Sequence, residues 1–112
     1  MKPSEKYQLI QKLKEKKAFW SFDADSIKKV SDEILIEKVL LNMQPKQAVK
    51  SLKGFSVQVI INVWKKDILV QEPYYHNRNM AYAKMLLHKN NPESYVKRAS
   101  LLQQKKRMSN AV

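Results

Sequence analysis

A chain of 112 residues, 44% apolar and 29% charged, is long enough for one domain with one core. Its single glycine, Gly54, argues against a Walker loop, a dinucleotide fingerprint and a hairpin-rich all-β fold, and the lack of cysteine excludes disulfides, Cys-ligated zinc, iron–sulfur clusters and a thiol nucleophile. Lys and Arg number 22 against 10 Asp and Glu, a net charge of +12 that favours a polyanionic partner: DNA, RNA, an anionic membrane or an acidic protein face.

The charge is uneven: +4 over residues 1–22, −2 over 23–43, +3 over 44–72 and +7 over 73–112. Ser4–Lys17 reads as a helix capped by Ser4, with Tyr7, Leu9, Ile10 and Leu13 on its apolar stripe and Lys6, Lys12, Lys14, Lys16 and Lys17 around it. Phe19, Trp20 and Phe22 then crowd three aromatics into a connector. They serve either as a plug for the core or as a base-stacking platform, and small cores favour the plug. Ser31 caps the next helix, with Asp32 and Glu33 at the positive end of its dipole. Ile36, Val39, Leu40 and Met43 follow at helical spacing, widened by Ile34, Leu35 and Leu41, so this helix is expected at the centre.

Pro45 opens a short helix to Leu52, and Gly54 suits a left-handed position just past its end. Ser56 caps a further helix with Val57, Ile60, Ile61, Trp64 and Ile68 inward. Its many β-branched residues leave a buried strand over Ser56–Trp64 as the alternative. Pro73 holds Glu72 extended in an irregular connector. Asn77 is the expected cap of a helix to His88, with Met80, Ala83 and Leu87 on one side. Asn91, Pro92 and Glu93 start the last helix, whose stripe is Tyr95, Val96, Ala99 and Leu102, with Ser109–Val112 expected to fray. The expected fold class is all-α, a single helical domain over 1–112 of about six helices with a helix-turn-helix-like core at 32–68 and a basic, partly frayed tail at 105–112.

No stretch can span a bilayer, since the longest run without a charge, Gly54–Trp64, has 11 residues and a spanning helix needs about 20. Charges from Glu5 onward interrupt any signal-peptide core, and a cytoplasmic location is the expectation. The two histidines, His76 and His88, match no zinc-ligand spacing, so neither metal nor cofactor is expected. His76 could act as acid or base in a small ribonuclease, but no constellation surrounds it and a structural role is the better reading.

Three helices over Asp32–Lys66, the middle one short and followed by a glycine turn, outline a helix-turn-helix with Ser56–Lys66 in the recognition position. Gln58, Asn62, Lys65 and Lys66 would share its outward face, the amides suited to adenine edges and the lysines to guanine or phosphate. Arg78, Lys97, Arg98, Lys105, Lys106 and Arg107 complete the expected DNA-binding set. Tyr74, Tyr75 and Arg78 sit on a connector and have the composition of a protein-contact hot spot.

Read in order, Phe19–Asp23, Ser31–Leu40, Val63–Leu69, Tyr74–Asn77 and Asn91–Tyr95 resemble small bacterial proteins, frequent in Bacteroidetes, regarded as antitoxins that partner nucleotidyltransferase-like toxins of abortive-infection systems. The resemblance covers most of residues 19–98 and leaves out the N-terminal helix and the chain after Ser100. It implies a helical protein that binds a toxin and its own operator, it assigns no catalytic residue, and the expected protein is non-enzymatic. The expected function is therefore an antitoxin or transcription regulator with a toxin protein and duplex DNA as partners. The alternatives are a protein-only binding module and an RNA-binding protein or small ribonuclease.

Overall fold

The computed structural model describes residues 3–15 and 30–110, which fall into two compact units, Met1–Ser56 and Val57–Val112. All regular structure among the described residues is helical, in six α-helices. The aromatic connector Phe19, Trp20 and Phe22, and Lys16 and Lys17, lie outside the described residues.

In the first unit α1 (Pro3–Glu15) and α3 (Pro45–Ser51) both pack against α2 (Asp32–Asn42). Ser31 starts α2 as its spacing predicts, its hydroxyl accepting the Ile34 N–H at 3.2 Å. Leu35, Ile36, Val39, Leu40 and Met43 are all fully buried, each stabilising by about 1.5–3 kcal/mol against exposure. Ile34 is left partly outside. On α1, Leu9, Ile10 and Leu13 are buried, but Tyr7, expected on the stripe, is 64% exposed. Its phenol reaches water at no cost, while Leu9 and Ile10 close the apolar face. The helix already begins at Pro3, so Ser4 is inside it rather than its cap. Lys6 Nζ lies 3.0 Å from Asp32 Oδ1, an exposed pair that joins α1 to the start of α2.

Pro45 occupies the first turn of α3 as expected. Gly54 does not take the left-handed geometry assigned to it: its φ is negative. The turn is closed instead by the Leu52 N–H to Ala48 and Val49 carbonyls and by the Phe55 N–H to the Leu52 carbonyl at 3.0 Å.

The second unit starts with α4 (Val57–Val63), so the stretch offered as a strand over Ser56–Trp64 is helical from Val57 onward. Ile60, Ile61 and Val63 are buried, whereas Val57 in the first turn is 57% exposed. The helix widens into a π turn over Trp64–Ile68 and tightens into a 3₁₀ turn over Leu69–Gln71. This change of pitch buries Trp64, Ile68, Leu69 and Val70 together. Glu72 is extended, as its proline neighbour requires, and the Glu72–Pro73 peptide is cis.

Helix α5 (His76–Leu87) begins one residue before Asn77, which is in its first turn and not its cap. Its buried face is Asn79, Tyr82, Ala83 and Leu86, so the expected stripe of Met80 and Leu87 is turned aside. The left-handed residue that ends it is His88, at φ 55° and ψ 37°, its N–H bonded to the Ala83 carbonyl. Helix α6 (Pro92–Asn110) restarts on the expected cap, with Asn91 Oδ1 accepting the Ser94 N–H at 3.3 Å. It continues through Lys105–Arg107 to Asn110. Val96 and Ser100 are buried, while Leu102, expected inward, is 58% exposed.

Candidate nucleic-acid interface

All ten residues expected to meet DNA belong to the second unit. Gln58 and Asn62 are exposed on α4, and Gln58 Nε2 donates to Asn62 Oδ1 at 2.9 Å. The two amides thus hold one another one turn apart, which fixes their side chains before any base is met. The π turn carries the two lysines that follow. Lys65 is half-buried, its ammonium 5.9 Å from the centre of the Tyr95 ring, and Lys89 approaches the same ring at 4.8 Å. Tyr95, expected in the core stripe, is therefore half-buried beneath two cations. Lys66 is exposed and lines a depression with Asp67, Val70, Gln103, Lys106 and Arg107. Three bases from two remote stretches of sequence thereby share a floor with one carboxylate.

The remaining bases are distributed around α6. Lys97 lines a second depression with Glu72, Pro73, His76, Glu93 and Gln104. Arg98 and Lys105 line a third with Leu101, Leu102 and Met108. Arg78 is half-buried near the start of α5 and lines a fourth with Tyr74 and Tyr75. Tyr74 is 79% exposed and meets Tyr75 edge-on at 4.8 Å between centroids. Tyr74, Tyr75 and Arg78 are therefore brought together, whereas the ten-residue DNA-binding set, eight of them basic, is split among several depressions.

A buried polar relay was missed by sequence reasoning. Trp64 Nε1 donates to Asn79 Oδ1 at 2.9 Å, and Asn79 Nδ2 donates to Glu72 Oε2 at 2.6 Å. The other carboxylate oxygen lies 2.6 Å from His76 Nδ1, and the Glu72 side chain is only 9% exposed. Gln104 Nε2 on α6 donates to the carbonyls of Val70 and Glu72. The hydrogen bond to the Glu72 carboxylate raises the His76 pKa above its usual 6.5, against a lowering by burial and with lesser help from the charges of Glu72 and Glu93. Tyr82 packs edge-on against Trp64 at 6.5 Å, and burial pushes its hydroxyl up to about 12 despite nearby Arg78. One signal was available: Glu72, His76 and Asn79 stand at i, i+4 and i+7, the spacing of a shared helical face.

A histidine oriented by a carboxylate can serve as a general base, but it needs a proton donor to act on. The hydroxyl that lines the same depression, Ser100, donates to the Lys97 carbonyl of its own helix at 3.0 Å. The relay as built clamps the Glu72 connector to Trp64 at the centre of the unit. Among the described residues no three His, Asp or Glu side chains gather as a metal centre would require. Nor is any described helix long and apolar enough to cross a membrane. Comparison with family models, curated proteins and solved structures finds no match to this chain.

Proposed function

We propose that the chain is a non-enzymatic antitoxin or transcription regulator that holds duplex DNA through the basic surface of its second unit and a toxin-type protein through a separate face. One observation carries the reading. Lys66 on the π turn lines the same depression as Lys106 and Arg107 on α6, in a chain of net charge +12. A phosphate backbone crossing that depression would meet three bases at once and release their worth of counterions. The exposed amides of Gln58 and Asn62, on the helix that leads into Lys66, are the groups suited to reading base edges. Tyr74, Tyr75 and Arg78, gathered around the start of α5, are the corresponding protein contact.

The test is binding of duplex DNA across a salt series. The triple change Lys66→Ala, Lys106→Ala and Arg107→Ala should shallow the slope of log affinity against log salt by up to about 3, at roughly 0.9 per contact. Gln58→Ala or Asn62→Ala should leave the slope in place and relax sequence preference by about 1–3 kcal/mol. Absence of duplex binding at low salt would refute the DNA half of the reading, and an unchanged slope in the triple variant would move the phosphate contacts elsewhere. RNA binding of equal strength would favour the ribonucleoprotein alternative.

A further inference from the structure

The outer face of α6 carries a stripe that its own unit leaves uncovered. Leu101, Leu102 and Met108 are 55%, 58% and 73% exposed, and together with Arg98 and Lys105 they line one apolar depression. Positions 98, 101, 102, 105 and 108 recur at three- and four-residue steps, which puts them on one face of a helix over about 15 Å. Packing uses a different face: Val96 and Ser100 are buried, and Gln104, at the border of the depression, is bonded to the Val70 and Glu72 carbonyls. Core packing therefore gives no reason for three large apolar side chains to line up on the outside.

We propose that this stripe docks an acidic amphipathic helix of a protein partner, whose apolar residues seat between Leu101, Leu102 and Met108 while its carboxylates pair with Arg98 and Lys105. The proposal rests on the reading of the chain as a partner-binding protein and adds a surface distinct from Tyr74, Tyr75 and Arg78. The position of Lys105 decides between occupants. It stands within the stripe, between the two leucines and the methionine, where a carboxylate would satisfy it. Insertion of the same face into lipid would draw its ammonium toward hydrocarbon, at a cost in desolvation. A second copy of this chain would bring Arg98 and Lys105 against like charges, on top of the repulsion between two molecules of net charge +12. Nucleic acid gains little from leucine and methionine, which lack the flat π faces on which bases stack. An acidic helix answers both the apolar and the basic parts of the stripe, in the helix-in-groove manner of recognition.

The experiment uses the full chain and a synthetic helical peptide with leucines at i, i+4 and i+7 and glutamates between them, beside the same peptide with lysines for the glutamates. Calorimetry or fluorescence anisotropy should show the acidic peptide binding and the lysine peptide failing. The paired change Leu101→Ser and Leu102→Ser should weaken the acidic peptide by about tenfold or more, as expected for removing two apolar anchors. Arg98→Glu with Lys105→Glu should reverse the preference between the two peptides. Circular dichroism should show the folded helix content of each variant unchanged, since all four side chains are exposed. Duplex DNA binding of the Leu101→Ser, Leu102→Ser protein should stay as in the parent. Loss of peptide binding with intact DNA binding thus separates this proposal from the functional reading above. The proposal is overturned if neither peptide binds, if both bind alike, or if the serine changes leave binding intact. It is equally overturned if those changes abolish uptake by phosphatidylserine vesicles or a concentration-dependent dimer while the acidic peptide is ignored.

Discussion

Asn79 links two polar partners inside the second unit. It is fully buried, takes the Trp64 indole N–H on its oxygen and gives its own N–H to Glu72. Asn79→Leu would leave both partners buried without it, and each such orphan costs about 1–3 kcal/mol. Urea melts should therefore show a larger loss for Asn79→Leu than for substitution at exposed Asn77, its neighbour two positions back. Trp64→Ala should lose about 3–5 kcal/mol, because a fully buried indole leaves a cavity as well as an unpaired Asn79. His76 makes the same relay sensitive to pH. Its pKa is raised in the fold, so the unfolded chain loses its proton first. The stabilisation from the His76–Glu72 pair is then full below pH 6.5 and is lost as pH rises through the higher folded value. Melts on either side of pH 6.5 should show this decline in the parent and not in His76→Gln, and a decline of equal size in both would refute it.

At the scale of the element, α6 is a helix with two apolar faces of different purpose. Val96→Ala removes apolar atoms from a fully buried site and should cost about 2 kcal/mol. Leu102→Ala, from a site 58% exposed, should move stability by no more than about 0.5 kcal/mol. Thermal melts of the two variants check the assignment of faces directly. The start of α2 offers a separate check, since Ser31→Ala removes the acceptor for the Ile34 N–H and should cost about 1 kcal/mol. Helices α2 and α6 differ in how they are held. The first depends on four fully buried apolar side chains and on Met43 just past its end, whereas the second adds the Gln104 bonds to two backbone carbonyls.

At the scale of the whole molecule, the surplus of positive charge acts against the fold and in favour of a polyanion. Screening by added salt should therefore raise the urea midpoint by relieving self-repulsion while it weakens the proposed binding to duplex DNA. The two trends run in opposite directions and can be read on one protein in one salt series. The exposed Lys6–Asp32 pair would lose strength in salt, but such pairs contribute only about 0–1 kcal/mol. A midpoint that falls with salt would show that specific ion pairs outweigh the net charge.

Sequence alone determined the all-α class, the two proline starts at Pro45 and Pro92, the caps at Ser31 and Asn91 and the core stripe of α2. These follow from interactions within a turn or two of helix, where spacing and residue type are sufficient. It also grouped Tyr74, Tyr75 and Arg78, near neighbours in the chain that line one depression, although Arg78 stands in the first turn of α5 and not on the connector. Tertiary structure decided the rest. The buried face of α5 includes Asn79 because Trp64 and Glu72 satisfy its amide, partners that hydrophobic periodicity does not count. The π turn joins Lys66 to Lys106 and Arg107, and the same packing of α6 turns Leu102 outward by seating Val96, Ser100 and Gln104 against the unit. Periodicity reports how many faces of a helix are apolar, but which of them is buried depends on the neighbour that arrives to cover it.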